Sequence, residues 1–328
     1  MNAKRWIALA AAAALLLVSV SVSLVTGALQ TDVSGMFDQE TSGMEESIVE
    51  EGSGAGKAAL IHVDGVIQAG GASPFGGGYN HQLVLDQLDH AAEDASVDGI
   101  ILRVNTPGGG VVESDEIYDK IVEVQEEYSK DVYVSMGNQA ASGGYYISAP
   151  AAQIYANPQT ITGSLGVIMQ SFNVSELAEE LGIEDQTIKS GEFKDIMSAT
   201  REMTEEDEDI LQGIVDDAYE QFVTVIDEGR DNLSRDEVMS LADGRIYTGS
   251  QAEENGLIDG LGNLDDVIDA MREDTGQDLT VVEYAQGFGF DSFFGMSLDS
   301  LFEQRRIDQL TGWLEDQQGP QLMYLYTD

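Results

Sequence analysis

The 328 residues are 42% hydrophobic with a mean hydropathy of -0.14, enough apolar material for one large domain or two modest ones and too much for a chain disordered throughout. Sixty acidic against 15 basic residues give a net charge of -45 and a pI near 4.1, a balance that repels nucleic-acid phosphate and excludes DNA or RNA as a partner. The chain has no cysteine, which rules out disulfides, thiolate metal sites and a cysteine nucleophile, and its three histidines leave little room for a histidine-built metal centre.

The acids are spread along the chain, far beyond what solubility needs, and point to adaptation to high salt, where self-repulsion is screened. The run Glu205-Glu206-Asp207-Glu208 reads as solvated helix surface, since no spacing resembles an EF-hand loop.

In chain order, Lys4 and Arg5 precede an uncharged stretch from Trp6 to Thr31, long enough to span a bilayer and too long for a cleaved signal's apolar region. Residues 1–31 are therefore expected to be a cytoplasmic stub and an uncleaved membrane anchor, with the bulk of the chain outside the membrane. Residues 32–56, rich in Gly, Ser, Glu and Asp, read as a flexible acidic linker. Ala58 to Val63 is a buried strand ending in the turn Asp64-Gly65, with His62 expected in the core. Gly70 to Gly78 is a glycine-rich loop, and Leu85, Leu88 and Ala92 repeat at helical spacing, with His81 and His90 on the helix surface.

Val97 to Val104 is the next strand, Pro107 to Gly110 a loop, and Val112, Ile117, Ile121 and Val124 a helix stripe, followed by a strand over 131–136. This alternation predicts an α/β fold with a largely parallel sheet, over a domain of residues 57–275. A long helix begins at Thr204, capped with Asp207, and carries Ile210, Leu211, Ile214, Val215, Ala218, Tyr219 and Phe222. From Glu283 the composition turns aromatic, so residues 276–328 read as a docking tail; its charges exclude a second membrane span.

Three segments carry candidate chemistry. Asn105-Thr106-Pro107-Gly108-Gly109-Gly110 follows a strand, and its glycines let backbone N–H groups converge on an anion; equally, it is an ordinary strand–helix turn. Gln139-Ala140-Ala141-Ser142-Gly143-Gly144-Tyr145-Tyr146 puts a serine at a helix start, either as a nucleophile or as a simple N-cap. No histidine is well placed to activate it, which leaves a neutral lysine as base. In a chain with only six lysines, Lys189 and Lys194 stand out in Lys189-Ser190-Gly191-Glu192-Phe193-Lys194-Asp195.

Asn-Thr-Pro-Gly-Gly, Ala-Ser-Gly-Gly-Tyr-Tyr, Thr162-Gly163-Ser164-Leu165-Gly166-Val167 and Ser190-Gly-Glu-Phe-Lys194-Asp, in this order, resemble the signal peptide peptidase A family, membrane-anchored Ser-Lys proteases of the Clp/crotonase superfamily. Agreement continues through Asp243-Gly-Arg-Ile-Tyr-Thr-Gly249 and Ala252-Glu-Glu-Asn-Gly256-Leu-Ile-Asp259, so the resemblance covers about residues 58 to 270. It implies a single copy of the Clp/crotonase-like fold of repeated β-β-α units. It implies Ser142 as nucleophile, Lys194 as general base and Ser164 as the hydroxyl that orients the lysine. The backbone N–H groups of Gly109 and Gly143 would form the oxyanion hole, and Asp195 would serve local structure. Lys189 is a rival base that does not align with the family's Lys-Asp-Ile pattern. In the family's short form, serine and lysine come from neighbouring protomers, which implies an obligate homo-oligomer. The expected activity is endopeptidase cleavage of apolar segments such as released signal peptides, with neither metal nor cofactor. Two other readings stand beside it: a same-superfold enzyme acting on acyl-CoA thioesters, and an inactive membrane scaffold.

Overall fold

The computed structural model describes residues 44–70, 78–286 and 322–326. Among them, nine strands form one sheet whose main path runs β1 (Met44–Glu50), β11 (Thr280–Gln286), β2 (Lys57–Asp64), β3 (Val97–Thr106), β5 (Asp131–Ala141), β6 (Gln153–Ala156) and β10 (Gly260–Leu261). From β11 through β10 every neighbour along this path is parallel. The strand–helix alternation thus yields the expected mixed α/β fold with a parallel-rich sheet. The short strands β7 (Ile161–Gly163) and β9 (Ile246–Thr248) extend it beside the end of β5.

Both faces of the sheet are covered, so its strands read as near-continuous apolar runs. Alternate residues diverge: Ala59, Ile61, Ile100, Leu102, Val132 and Val134 join one core with residues from α1 (His81–Glu93), α2 (Val111–Tyr128), α3 (Gly143–Ser148) and α5 (Glu205–Gly229). Ala58, Leu60, Ile101 and Tyr133 join a second core with Val267, Ile268 and Met271 of α8 (Leu264–Thr275). The Thr204 cap is present as expected: its hydroxyl accepts from Asp207 N, and the Asp207 carboxylate accepts from Thr204 N.

Several expectations are corrected. The second half of the acidic linker is strand β1, paired antiparallel with β11 at the sheet edge, and residues 32–43 lie outside the described residues. The docking tail is ordered at both described ends. Its start, β11, lies inside the sheet, and β12 (Leu322–Leu325) pairs with Gly108–Gly110, which forms strand β4 rather than a loop.

His62 is exposed, because it shares the parity of Ala58 and Leu60 but lies beyond the cover of α8; its Nε2 stands 2.9 Å from Glu283. His81 is buried instead, between the Tyr79 hydroxyl at 2.7 Å and Glu116 of α2 at 2.6 Å. The packing of α1 against α2, invisible in the acidic sequence of α1, makes that exchange. His90 is exposed as expected, with its ring edge-on to Tyr284. On α2, Val112 points to solvent while Ile117, Ile121 and Val124 are buried. On α5, Ala218 and Phe222 of the predicted stripe are buried, Tyr219 packs partly buried against the core, and Ile210 and Ile214 are exposed. No helix among the described residues is long and apolar enough to cross a membrane, and the anchor expected over residues 6–31 lies outside them.

Candidate active site

Ser142 follows the last residue of β5, and its backbone turns sharply there: φ is 53° and ψ is -116°, a region sparsely populated for any residue with a side chain. Such a conformation costs roughly 1–3 kcal/mol and persists only where surroundings over-determine it. Here Ser142 N donates to Gly163 O at 2.8 Å, while Ser142 O accepts from Tyr145 N and Tyr146 N at 2.9 Å. The following rings lock the turn into the core. The Tyr145 hydroxyl donates to Leu257 O and the Tyr146 hydroxyl to Asp115. Ser142 occupies the N-cap position of α3, but its side chain makes no capping hydrogen bond there. Burial is nearly complete, with Ser142 1% exposed.

Ser164 occupies the matching place on the neighbouring strand. β7 pairs in parallel with β5 through Ala141↔Gly163, so Ser142 and Ser164 both step off the ends of paired strands. Ser164 also has a positive φ, 51°, and its N–H donates to Arg245 O at 2.7 Å. The structure therefore brings these two predicted serines into one neighbourhood.

The glycine loop closes over the same place. Ile67 N donates to Gly108 O and Gly110 N donates to Ile67 O, which leaves the N–H and C=O of Gly109 facing the other way, toward β12. There Tyr324 pairs with Gly109, antiparallel. Gly108 has φ of 100°, and the point where its Cβ would sit lies 2.0 Å from Tyr324 O and 2.6 Å from Gly143 N. Only glycine admits this approach. A Cβ on Gly143 would lie 2.7 Å from Ser114 Oγ and 3.2 Å from Gly109 N, so the Gly108–Gly109 backbone packs directly against the residue that follows Ser142. β12 itself lies between β4 and β8 (Ile168–Met169), and its Tyr324 ring is fully buried against Tyr146 and Phe222, with the hydroxyl donating to Ala218 O.

Lys194 is elsewhere. It lies on a single 3₁₀ turn, Glu192–Asp195, fully on the surface, and among the described residues its Nζ makes neither a hydrogen bond nor an ion pair. Lys189, the rival, is occupied: its Nζ donates to Asp195 Oδ1 at 2.8 Å and Oδ2 at 2.9 Å, and to Glu192 O. Asp195 thereby serves local structure. Lys189, with Arg201 beside it, holds its carboxyl below the usual carboxylate range. Within one protomer, then, the predicted base and the buried predicted nucleophile are apart.

Sequence reasoning missed three contributors. Gly108, rather than Gly109 alone, carries the positive φ of the loop; the Gly triplet was its only signal. Tyr324 and the Asp195–Arg201–Asp207 ion pairs had none, because both depend on contacts between segments distant along the chain or on side-chain direction. The structure thus gathers a buried, strained serine, a second serine on the neighbouring strand, a tightly packed glycine loop and a paired strand in one place.

Residues 125–278 match the profile of peptidase family S49. The chain is 42% identical over 294 residues to an Enterococcus faecium protein provisionally named signal peptide peptidase SppA, covering 87% of this chain and 85% of that one. It is also 42% identical over 210 residues to a provisionally named protease of Synechocystis, covering 64% of this chain and 71% of that one. Protease 4 of Salmonella typhi is 34% identical over 65% of this chain and 34% of its own length. Fold and relatives define a peptidase of the serine class. The chain belongs to peptidase family S49, the signal peptide peptidase A family.

Proposed function

We propose that the protein is a membrane-anchored endopeptidase with a Ser142–Lys194 dyad, acting on apolar peptide segments such as released signal peptides outside the membrane. The observation that carries this reading is the strained backbone of Ser142 at the place where the Gly108–Gly109 backbone, Gly143 N and the Tyr324 peptide carbonyl approach one another closely. An extended peptide paired to β4 and β8 has its carbonyl presented to that backbone, a geometry that favours a peptide over an acyl-CoA thioester. The acidic surface also disfavours the phosphates of coenzyme A.

In this reading a substrate strand takes the position of β12. Ser142 Oγ attacks the scissile carbonyl carbon as neutral Lys194 Nζ accepts the hydroxyl proton. The Gly109 and Gly143 N–H groups hold the developing oxyanion. Lys194 then returns the proton to the departing amine, leaving an acyl-serine. Water, activated by the same lysine, hydrolyses it. Ser164 accepts or donates beside the lysine to orient it.

Lys194 comes from a neighbouring protomer. Support for this lies in the segment that carries it: from Phe172 through Met203 no residue is buried, and Phe172, Leu177, Leu181, Ile188 and Phe193 expose apolar side chains that a second copy would cover. Burial there would disfavour the charged form of the lysine, as a base requires. The uncharged stretch over residues 6–31 supports anchoring. The repeated β-β-α succession of the Clp/crotonase fold is part of the same proposal.

The test is hydrolysis of an apolar peptide and of an acyl-CoA by purified protein, with serine labelling by a fluorophosphonate. Peptide cleavage with labelling lost in Ser142→Ala supports the proposal. Thioester cleavage alone would favour the acyl-CoA reading, and a folded, unlabelled, inactive protein the scaffold.

A further inference from the structure

The turn that carries Lys194 has no apolar anchor of its own. A short chain of charges ties it to the fold. Asp195, the next residue, is gripped by Lys189 and stands 3.0 Å from Arg201 Nε. The other end of the Arg201 guanidinium donates through Nη1 to Asp207 Oδ2 at 2.5 Å and to Glu202 O at 2.9 Å. Asp207 is buried and, through the Thr204 capping box, forms the first turn of α5. At its far end α5 enters the core with Phe222, Val223, Val225 and Ile226. Arg201 is thus the one side chain among the described residues that bridges the lysine-bearing turn to the helix embedded in the core. A planar fork suits two carboxylates at an angle to each other, and an ammonium does not.

We infer that Arg201 is the positioning residue of Lys194: it fixes the turn against α5 and cancels the field of Asp195 beside the base. The inference rests on the Ser142–Lys194 reading. The charged groups facing this turn are Lys189, Glu192 and Asp195 on its own segment, Arg201 and Glu202 in the stretch before α5, and Asp207 in the first turn of α5. Asp185 also bears on it, through its hydrogen bonds with Thr187 and Thr200. Asp195 is bracketed by two cations, Lys189 and Arg201, which compensate its charge. With Arg201 gone, its charge is less compensated and the lysine keeps its proton to higher pH. With Asp195 neutralised, two cations remain and the lysine loses its proton at lower pH.

The experiment compares Arg201→Met, Arg201→Lys, Asp195→Asn and Lys194→Ala in the full-length protein, reading kcat, KM, the pH–rate profile and the oligomeric state. Arg201→Met is expected to lower kcat about tenfold or more, with KM within about twofold, by misplacing the base. Its acidic limb should move up by about 0.5 in pH, and that of Asp195→Asn should move down. Arg201→Lys keeps a cation but not the fork, so it should leave the limb in place with kcat only partly restored. An unchanged kcat and limb in Arg201→Met, with Lys194→Ala inactive, overturns the inference while sparing the dyad. A fully active Lys194→Ala overturns both. If Arg201→Met does not assemble, Asp195→Asn decides: a limb that does not move down sinks the idea.

Discussion

Around Ser142 the supporting groups are buried, neutral and drawn from the middle of the sheet, whereas the segment carrying Lys194 has no buried residue and is held by ion pairs. The first region holds a strained backbone because core packing on all sides over-determines it: Tyr145, Tyr146, Ala140 and Ala141 are buried completely. The second has nothing to press it into place, and takes its shape from charges on a surface open to solvent and from whatever covers its apolar side chains. The Ser142 region is thus fixed by its own fold, and under the proposed Ser142–Lys194 reading the Lys194 segment waits on its surroundings. Packing is indifferent to salt; exposed ion pairs and facing acidic surfaces are not.

The comparison breaks most directly at the two reacting groups. Ser142→Ala is expected to abolish peptide hydrolysis, and Lys194→Ala to lower kcat by roughly 10²–10⁴-fold with the melting temperature unchanged, since its side chain has no partner among the described residues. Mixing the two inactive variants should recover part of the activity if the base crosses between protomers. Recovery no greater than the sum of the separate rates, or an active monomer in sedimentation, would put both groups in one chain.

A second contrast is one of stability. Phe222→Ala, in the buried aromatic group with Tyr146 and Tyr324, should cost about 3–5 kcal/mol by denaturant unfolding. Phe172→Ser, 69% exposed on the base segment, should leave the protomer's unfolding midpoint in place and reduce assembly and activity together. A lowered midpoint with intact assembly would show that the segment folds against its own protomer.

Removal of residues 322–328 tests the slot between β4 and β8. If β12 occupies the substrate's position, the truncated protein should show a lower KM for peptides, by several-fold. A raised KM would mean that β12 is a wall of the site.

The smallest expected effects are those of salt. All 60 acids and only 13 bases follow residue 31, so copies of the chain repel one another. The Debye length falls from about 10 Å at 0.1 M to about 3 Å at 1 M, so oligomer fraction and peptidase rate should rise together between 0.1 and 3 M, and the unfolding midpoint of the core much less. Complete assembly at 0.1 M would make the acidity a matter of solubility alone.

The sequence by itself determined the alternation of strands and helices, hence the parallel-rich sheet, and it announced the site in contiguous words: Pro-Gly-Gly-Gly, Ala-Ser-Gly-Gly and Thr-Gly-Ser, each at the end of a strand. Such signals are legible because backbone conformation is local; a glycine or a strand end acts on its own neighbours. What only the tertiary structure decided was non-local. The exchange of His62 and His81 between core and surface followed from which helix covers which end of the sheet. The Met44–Glu50 strand and β11 found partners more than 200 residues apart, and Tyr324 reached Gly109 across a similar distance. Arg201 joined Asp195 and Asp207, each six residues away, through side-chain directions that the spacing does not record. Side-chain pairing of this kind depends on distances set by the whole fold, and no periodicity along the chain records it.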